Sequence, residues 1–171
     1  MNTTTQDTVQ GDLAAGERPA ARTHDYALPV PTDARRGLAR AWLGLGLMAL
    51  IGSGVFSILL VLARTPGVNR LLPGVDFFRI ALVVHVDLSV LVWFVAVAGL
   101  LWSINGTRLG LRWGWAALGL AGSGTVLMSL AAFVSPGGAI MANYIPMLDS
   151  PLFITGTLVL AAGVLLLVLR A

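Results

Sequence analysis

The sequence predicts an all-α membrane protein with four transmembrane helices, both ends on the cytoplasmic side (N-in/C-in), and a disordered N-terminal tail. Three observations lead there. Of 171 residues, 57% are hydrophobic and only 11% charged, with a mean hydropathy of +0.85, whereas soluble domains carry about 25% charged residues. Four apolar runs are each long enough to cross a hydrocarbon core of about 30 Å. The 11 basic residues, all arginine, fall mainly in the polar tail and in the short segments around those runs. A soluble globular enzyme is thereby excluded. The absence of cysteine removes disulfides, thiolate metal sites and thiol nucleophiles. The pI near 10.6 reflects sparse acids, not a basic face for nucleic acid.

Residues 1–37 are polar, rich in Thr, Asp, Ala, Arg and Pro, and lack helical or strand periodicity, so they read as a disordered cytoplasmic tail. No apolar run follows the first residues, as a secretory signal requires. Asp7, Asp12, Glu17, Asp25 and Asp33 make the tail too acidic for a mitochondrial transit peptide.

Residues 38–171 form the transmembrane segment. The predicted spans are Leu38–Ala63, Phe77–Ile104, Arg112–Val134 and Pro151–Leu169. Breakers separate them: Arg64-Thr65-Pro66-Gly67, Asn105-Gly106, and Ser135-Pro136-Gly137-Gly138, while Pro151 suits a first helical turn. The alternating segments of about ten residues that a membrane barrel needs are missing. Arg35, Arg36 and Arg40 precede the first span, Arg108 and Arg112 occupy the second loop, and Arg170 closes the fourth span. The third loop, 135–150, has no arginine. Positive residues stay inside, so both ends face the cytoplasm, against the dissent of Arg64 and Arg70 in the first loop.

Small residues recur at helical spacing: Ala49, Ser53 and Ser57 in the first span, Ala121, Thr125 and Ser129 in the third. Such faces let helix backbones approach closely. Gly119, Gly122 and Gly124 are not a phosphate loop, having no strand before them and no lysine after.

The second span carries the chemistry. Ionisable groups within the hydrocarbon layer cost about 2.5–3.5 kcal/mol each on insertion scales and need a reason to be there. Arg79, His85 and Asp87 occupy this span, with Asp76 just before it. At about 1.5 Å per residue, His85 lies roughly 12 Å from the helix start, too deep to reach water easily. A neutral imidazole there suits axial ligation of haem iron, with its other nitrogen held by a carbonyl or carboxylate. It also suits a hydrogen bond between helices, or ion and proton handling. Asp87, two residues on, faces nearly the opposite side and needs a partner on another helix or a water. Asp76 and Arg79 are placed to pair with each other, or Arg79 to hold an anion such as a haem propionate. His24, in the tail, is out of reach of any second ligation of the same iron.

Phe78-Arg79, followed by Val84-His85-Val86-Asp87-Leu88-Ser89-Val90-Leu91-Val92-Trp93-Phe94, resembles the second core helix of the haem-copper oxidase superfamily. That family comprises cytochrome c oxidase catalytic subunit I and the nitric oxide reductase large subunits. Gly54–Pro66 is similar to the end of its first core helix, and Asn143–Phe153 to the outer loop before the fourth helix of one divergent bacterial branch. The likeness spans residues 38–171, and the histidine helix alone has a mechanistic signature.

The resemblance implies that His85 is an axial iron ligand of the low-spin haem and that Arg79 helps hold its propionates. Ser89 and Asp87 become polar contacts to neighbouring helices or to water. Family subunits have about twelve helices, with the copper or non-haem iron ligands and the other haem ligands on later ones. The chain is accordingly expected to be the N-terminal part of a respiratory terminal oxidase subunit, either an incomplete sequence or one half of a natural split. Its implied setting is the bacterial inner membrane, with the remaining oxidase helices as partners and cytochrome c or quinol as electron donor. A nitric oxide reductase-like subunit, a small dimeric b-type cytochrome clamping haem between two copies of His85, and a purely structural membrane subunit are the alternatives.

Overall fold

A computed structural model describes residues 30–71, 76–141 and 145–170. Most of the expected tail, with His24, and the Asn143-Tyr144 pair lie outside these residues. Four helices are long and apolar enough to cross a membrane: α1 (Ala34–Ala63), α2 (Phe77–Asn105), α3 (Leu111–Val134) and α4 (Pro151–Arg170). The protein is an integral, multi-pass, helical membrane protein.

The spans match those expected to within a residue, except at the start of α1. That helix begins inside the segment assigned to the tail, four residues before Leu38, because Asp33 caps it. The Asp33 carboxylate accepts from the Arg35 backbone N–H at 2.9 Å, filling one of the donors that a helix N-terminus leaves open. The same carboxylate takes the Arg35 side chain at 3.1 Å and Arg108 Nε at 2.8 Å, and Arg35 Nη1 donates to the Gly106 carbonyl at 2.7 Å. The start of α1 is thus tied to the α2–α3 loop. These guanidinium and backbone hydrogen bonds, the Arg35 side chain foremost, hold the Asp33 carboxyl down at about 2.

The helices pack as two close pairs. In α1–α2, Trp42 is fully buried against Gly99, where a Cβ would run into its ring, and Gly46 lies under Trp93. In α3–α4 the backbones nearly touch. A methyl at Gly156 would sit 2.8 Å from Met128 N, and one at Gly163 2.8 Å from the Ala117 carbonyl. With hydrocarbon on the outside, helix association rests on such van der Waals fit. The expected small-residue faces are used this way, with Ala49, Ser53, Ala121 and Thr125 buried. At the far end Phe133 of α3 packs against Phe56 and Phe77, at ring distances of 5.7 and 5.9 Å, joining the pairs.

Besides a short 3-10 turn at Val68–Leu71 in the first loop, two features depart from four plain helices. The third loop contains a two-stranded antiparallel ribbon, β1 (Gly138–Ile140) and β2 (Met147–Asp149), in which Ala139 faces Leu148. Leu148 plugs the bundle end at 0% exposure. The other departure is a π-helical turn over Asp87–Val92, interrupting α2 just after His85.

Candidate functional site

His85 sits in the last turn before the π segment and faces α1, where Ser53 and Ser57 occupy adjacent turns. Its Nδ1 lies 3.0 Å from the Ser53 carbonyl oxygen, 2.8 Å from Ser53 Oγ and 3.3 Å from Ser57 Oγ. Ser53 Oγ also donates to the His85 carbonyl at 3.0 Å. That donation uses the hydroxyl proton, so Ser53 Oγ, like its carbonyl, can only accept from the ring. The proton of the neutral imidazole is therefore on Nδ1, and Nε2 carries the lone pair. Among the described residues no side chain or backbone group hydrogen-bonds Nε2, and the ring is half-buried.

The π turn bears on the same site. Widening the helix frees carbonyl groups from the regular ladder, and π turns gather at functional positions. The His85 carbonyl accepts from Ser53 Oγ and from Ser89 Oγ, the latter at 2.8 Å. Ser89 also reaches the Val86 carbonyl at 3.2 Å. Among the described residues the Ser89 hydroxyl donates within its own helix, which leaves its oxygen lone pairs as acceptors for a neighbouring group.

Asp87 opens the π segment with 2% exposure, and its Oδ2 has no hydrogen-bond partner among the described residues. The expected partner on another helix is not found among them. Arg79 takes the first of its two expected roles: its Nε pairs with Asp76 Oδ2 at 3.3 Å. Both side chains are more than half exposed and line, with Ile80 and Pro136–Ala139, a cavity of about 360 Å3 at the β-ribbon end. Nearby, the Arg64 guanidinium lies 3.9 Å from the Phe78 ring centre, a cation–π contact closing the α1–α2 turn.

The sequence pattern marks His85 and Arg79 but assigns Ser53 and Ser57 to packing alone. A signal was available, since two serines four residues apart in an apolar helix present hydroxyls on one face. Their partner on α2 emerges only when the helices are docked. Among the described residues no group of three or more His, Cys, Asp or Glu side chains is gathered for a metal ion.

No family description matches the chain, and no solved structure matches it. It is 40% identical over 72 residues to an uncharacterized protein of Rickettsia prowazekii (strain Madrid E), covering 42% of this chain and 14% of that protein. It is 30% identical over 129 residues to an uncharacterized protein of Aquifex aeolicus (strain VF5), covering 75% of this chain and 32% of that one. The chain therefore spans between about a seventh and a third of the length of these curated bacterial relatives.

Proposed function

We propose that this chain supplies four membrane helices of a haem-binding respiratory oxidoreductase subunit of the haem-copper oxidase kind, with His85 as an axial ligand of a low-spin haem. The observation that carries this reading is the hold on the imidazole. Ligating histidines are oriented by a hydrogen bond from the non-ligating nitrogen to a carbonyl or carboxylate, which fixes the tautomer and raises the basicity of the other nitrogen. His85 has that hold, from the Ser53 carbonyl at 3.0 Å, and its Nε2 is free of protein partners among the described residues. An imidazole held in this way has the donor nitrogen that the reading requires.

When bound, haem supplies a reversible one-electron iron couple. The chain's own part is to present Nε2 in a fixed orientation, through the Ser53 carbonyl on Nδ1. Arg79 would hold a propionate through the guanidinium N–H groups that Asp76 leaves unused. Copper or non-haem iron would belong to other parts of the complex, as would the site of oxygen reduction and the route from cytochrome c or quinol. The proposed location is the bacterial inner membrane, the setting that the family resemblance implies. The N-in orientation rests on Arg35, Arg36, Arg40, Arg108, Arg112 and Arg170 at one end of the bundle, against Arg64, Arg70 and Arg79 at the other.

The test is a reduced-minus-oxidised optical spectrum of the protein purified with its co-purifying partners from native membranes, beside His85→Ala. A low-spin haem band that the variant loses while keeping its partners supports the reading. A wild type without haem, or a variant that keeps the band, rejects it. One haem per two copies of the isolated chain would favour the dimeric b-type cytochrome instead.

A further inference from the structure

At the bundle end that holds the start of α1, a groove of about 210 Å3 opens between α3 and α4, lined by Trp113, Leu166, Leu169 and Arg170. Three of the four lining side chains are apolar and the fourth is a guanidinium. Arg170 lies over Gly114, whose missing side chain leaves it room. Among the described residues its one hydrogen bond is long, from Nη2 to the Thr107 carbonyl at 3.5 Å, and no carboxylate pairs with it. Asp33, the acid described at this end, is already taken by Arg35 and Arg108. Exposed Arg36, Arg40 and Arg112 therefore add positive potential without compensation from described residues.

The aromatic residues locate the groove. Trp102, Trp113 and Trp115 are 39%, 57% and 47% exposed and sit at the α2–α3 end of the spans. Tryptophan in such positions lies at the level of lipid headgroups. A small soluble anion would gain nothing from Leu166 and Leu169, and a plain hydrocarbon chain would gain nothing from Arg170. A phospholipid uses both.

We propose that this groove binds one anionic glycerophospholipid, its phosphate against Arg170 and the start of an acyl chain against Trp113, Leu166 and Leu169. The surplus of arginine among the described residues of this end favours an anionic headgroup over a zwitterionic one, because juxtamembrane basic residues attract anionic lipids. This site is independent of the role of His85.

The test uses the full chain, purified in detergent, delipidated and titrated with soluble short-chain phosphatidylglycerol or phosphatidylcholine, with bound lipid counted by native mass spectrometry. One phosphatidylglycerol is expected to bind about ten-fold more tightly than phosphatidylcholine, within the range of charge-assisted hydrogen bonds. Arg170→Gln abolishes that preference, Arg170→Lys keeps part of it, and Trp113→Ala weakens both lipids alike. Inorganic phosphate does not displace the lipid. A wild type without the preference, an Arg170→Gln variant that keeps it, or displacement by inorganic phosphate overturns the proposal. Should Arg170→Gln fail to fold, unchanged binding in both Arg170→Lys and Trp113→Ala overturns it equally.

Discussion

The carbonyl oxygen of Ser53 on α1 lies 3.0 Å from Nδ1 of His85 on α2. A backbone carbonyl cannot donate, so this contact sets the imidazole tautomer whatever side chain occupies position 53. The Ser53 hydroxyl is a second acceptor on the same nitrogen, and it is also a donor to the His85 carbonyl.

Ser53→Ala should thus lower thermal stability by about 0.5–1.5 kcal/mol, the scale of a net hydrogen bond, while leaving the tautomer intact. Ser57→Ala, whose hydroxyl is farther from the ring at 3.3 Å, should have the smaller effect. Melting of the purified variants in detergent measures both. An effect of Ser57→Ala larger than that of Ser53→Ala would contradict the assigned order.

The Asp33 carboxyl is held at about 2, below its ordinary 3.8. A depressed carboxyl contributes stability that is present above the ordinary value and lost as pH falls through the folded-state one. Melting temperature should therefore decline between roughly pH 4 and pH 2, and Asp33→Asn should flatten that part of the decline. A variant profile parallel to wild type through this window rules out the Asp33 clasp as its source.

Gly156→Ala places a methyl 2.8 Å from Met128 N and 2.9 Å from the Gly124 carbonyl. Backbone cannot step aside as a flexible side chain can, so a loss of about 1–3 kcal/mol is expected. Gly119→Ala on α3 meets nothing within 4 Å and should stabilise by about 0.5–1 kcal/mol through helix propensity. Opposite signs in a thermal-shift assay are the expected result. Equal losses would place the α3–α4 contact elsewhere.

Asp87 has a carboxyl oxygen that is buried and unpartnered among the described residues. An unsatisfied buried polar group costs about 1–3 kcal/mol, so Asp87→Leu, of similar shape, should raise thermal stability. A clear drop in melting temperature would show that another segment or a bound water holds this carboxyl.

How much of this was legible in advance differs from residue to residue. His85 was visible as an ionisable group in an apolar run, because the cost of placing it there follows from position along one helix. The Asp76–Arg79 pair was visible as one of two options, since partners three apart share a helix face. Ser53 and Ser57 carried only the small-residue pattern that also marks close packing. The π turn had no distinct pattern: Asp87-Leu88-Ser89 reads as ordinary α-helix with two polar residues, and the bond from Ser53 of α1 to the His85 carbonyl beside it appears only in the docked pair.

The sequence by itself determined four membrane spans, their breakers and the asymmetric arginine distribution. Hydrophobic length and charge are properties of each segment alone, and a bilayer reads them segment by segment. Only the tertiary structure decided that α1 starts at Ala34, that Gly124, Gly156 and Gly163 meet backbone, and that His85 is held by Ser53. Each of these depends on a partner distant in the chain. Hydrogen bonds and van der Waals contacts act over a few ångströms, so their pairing is fixed by how the helices cross.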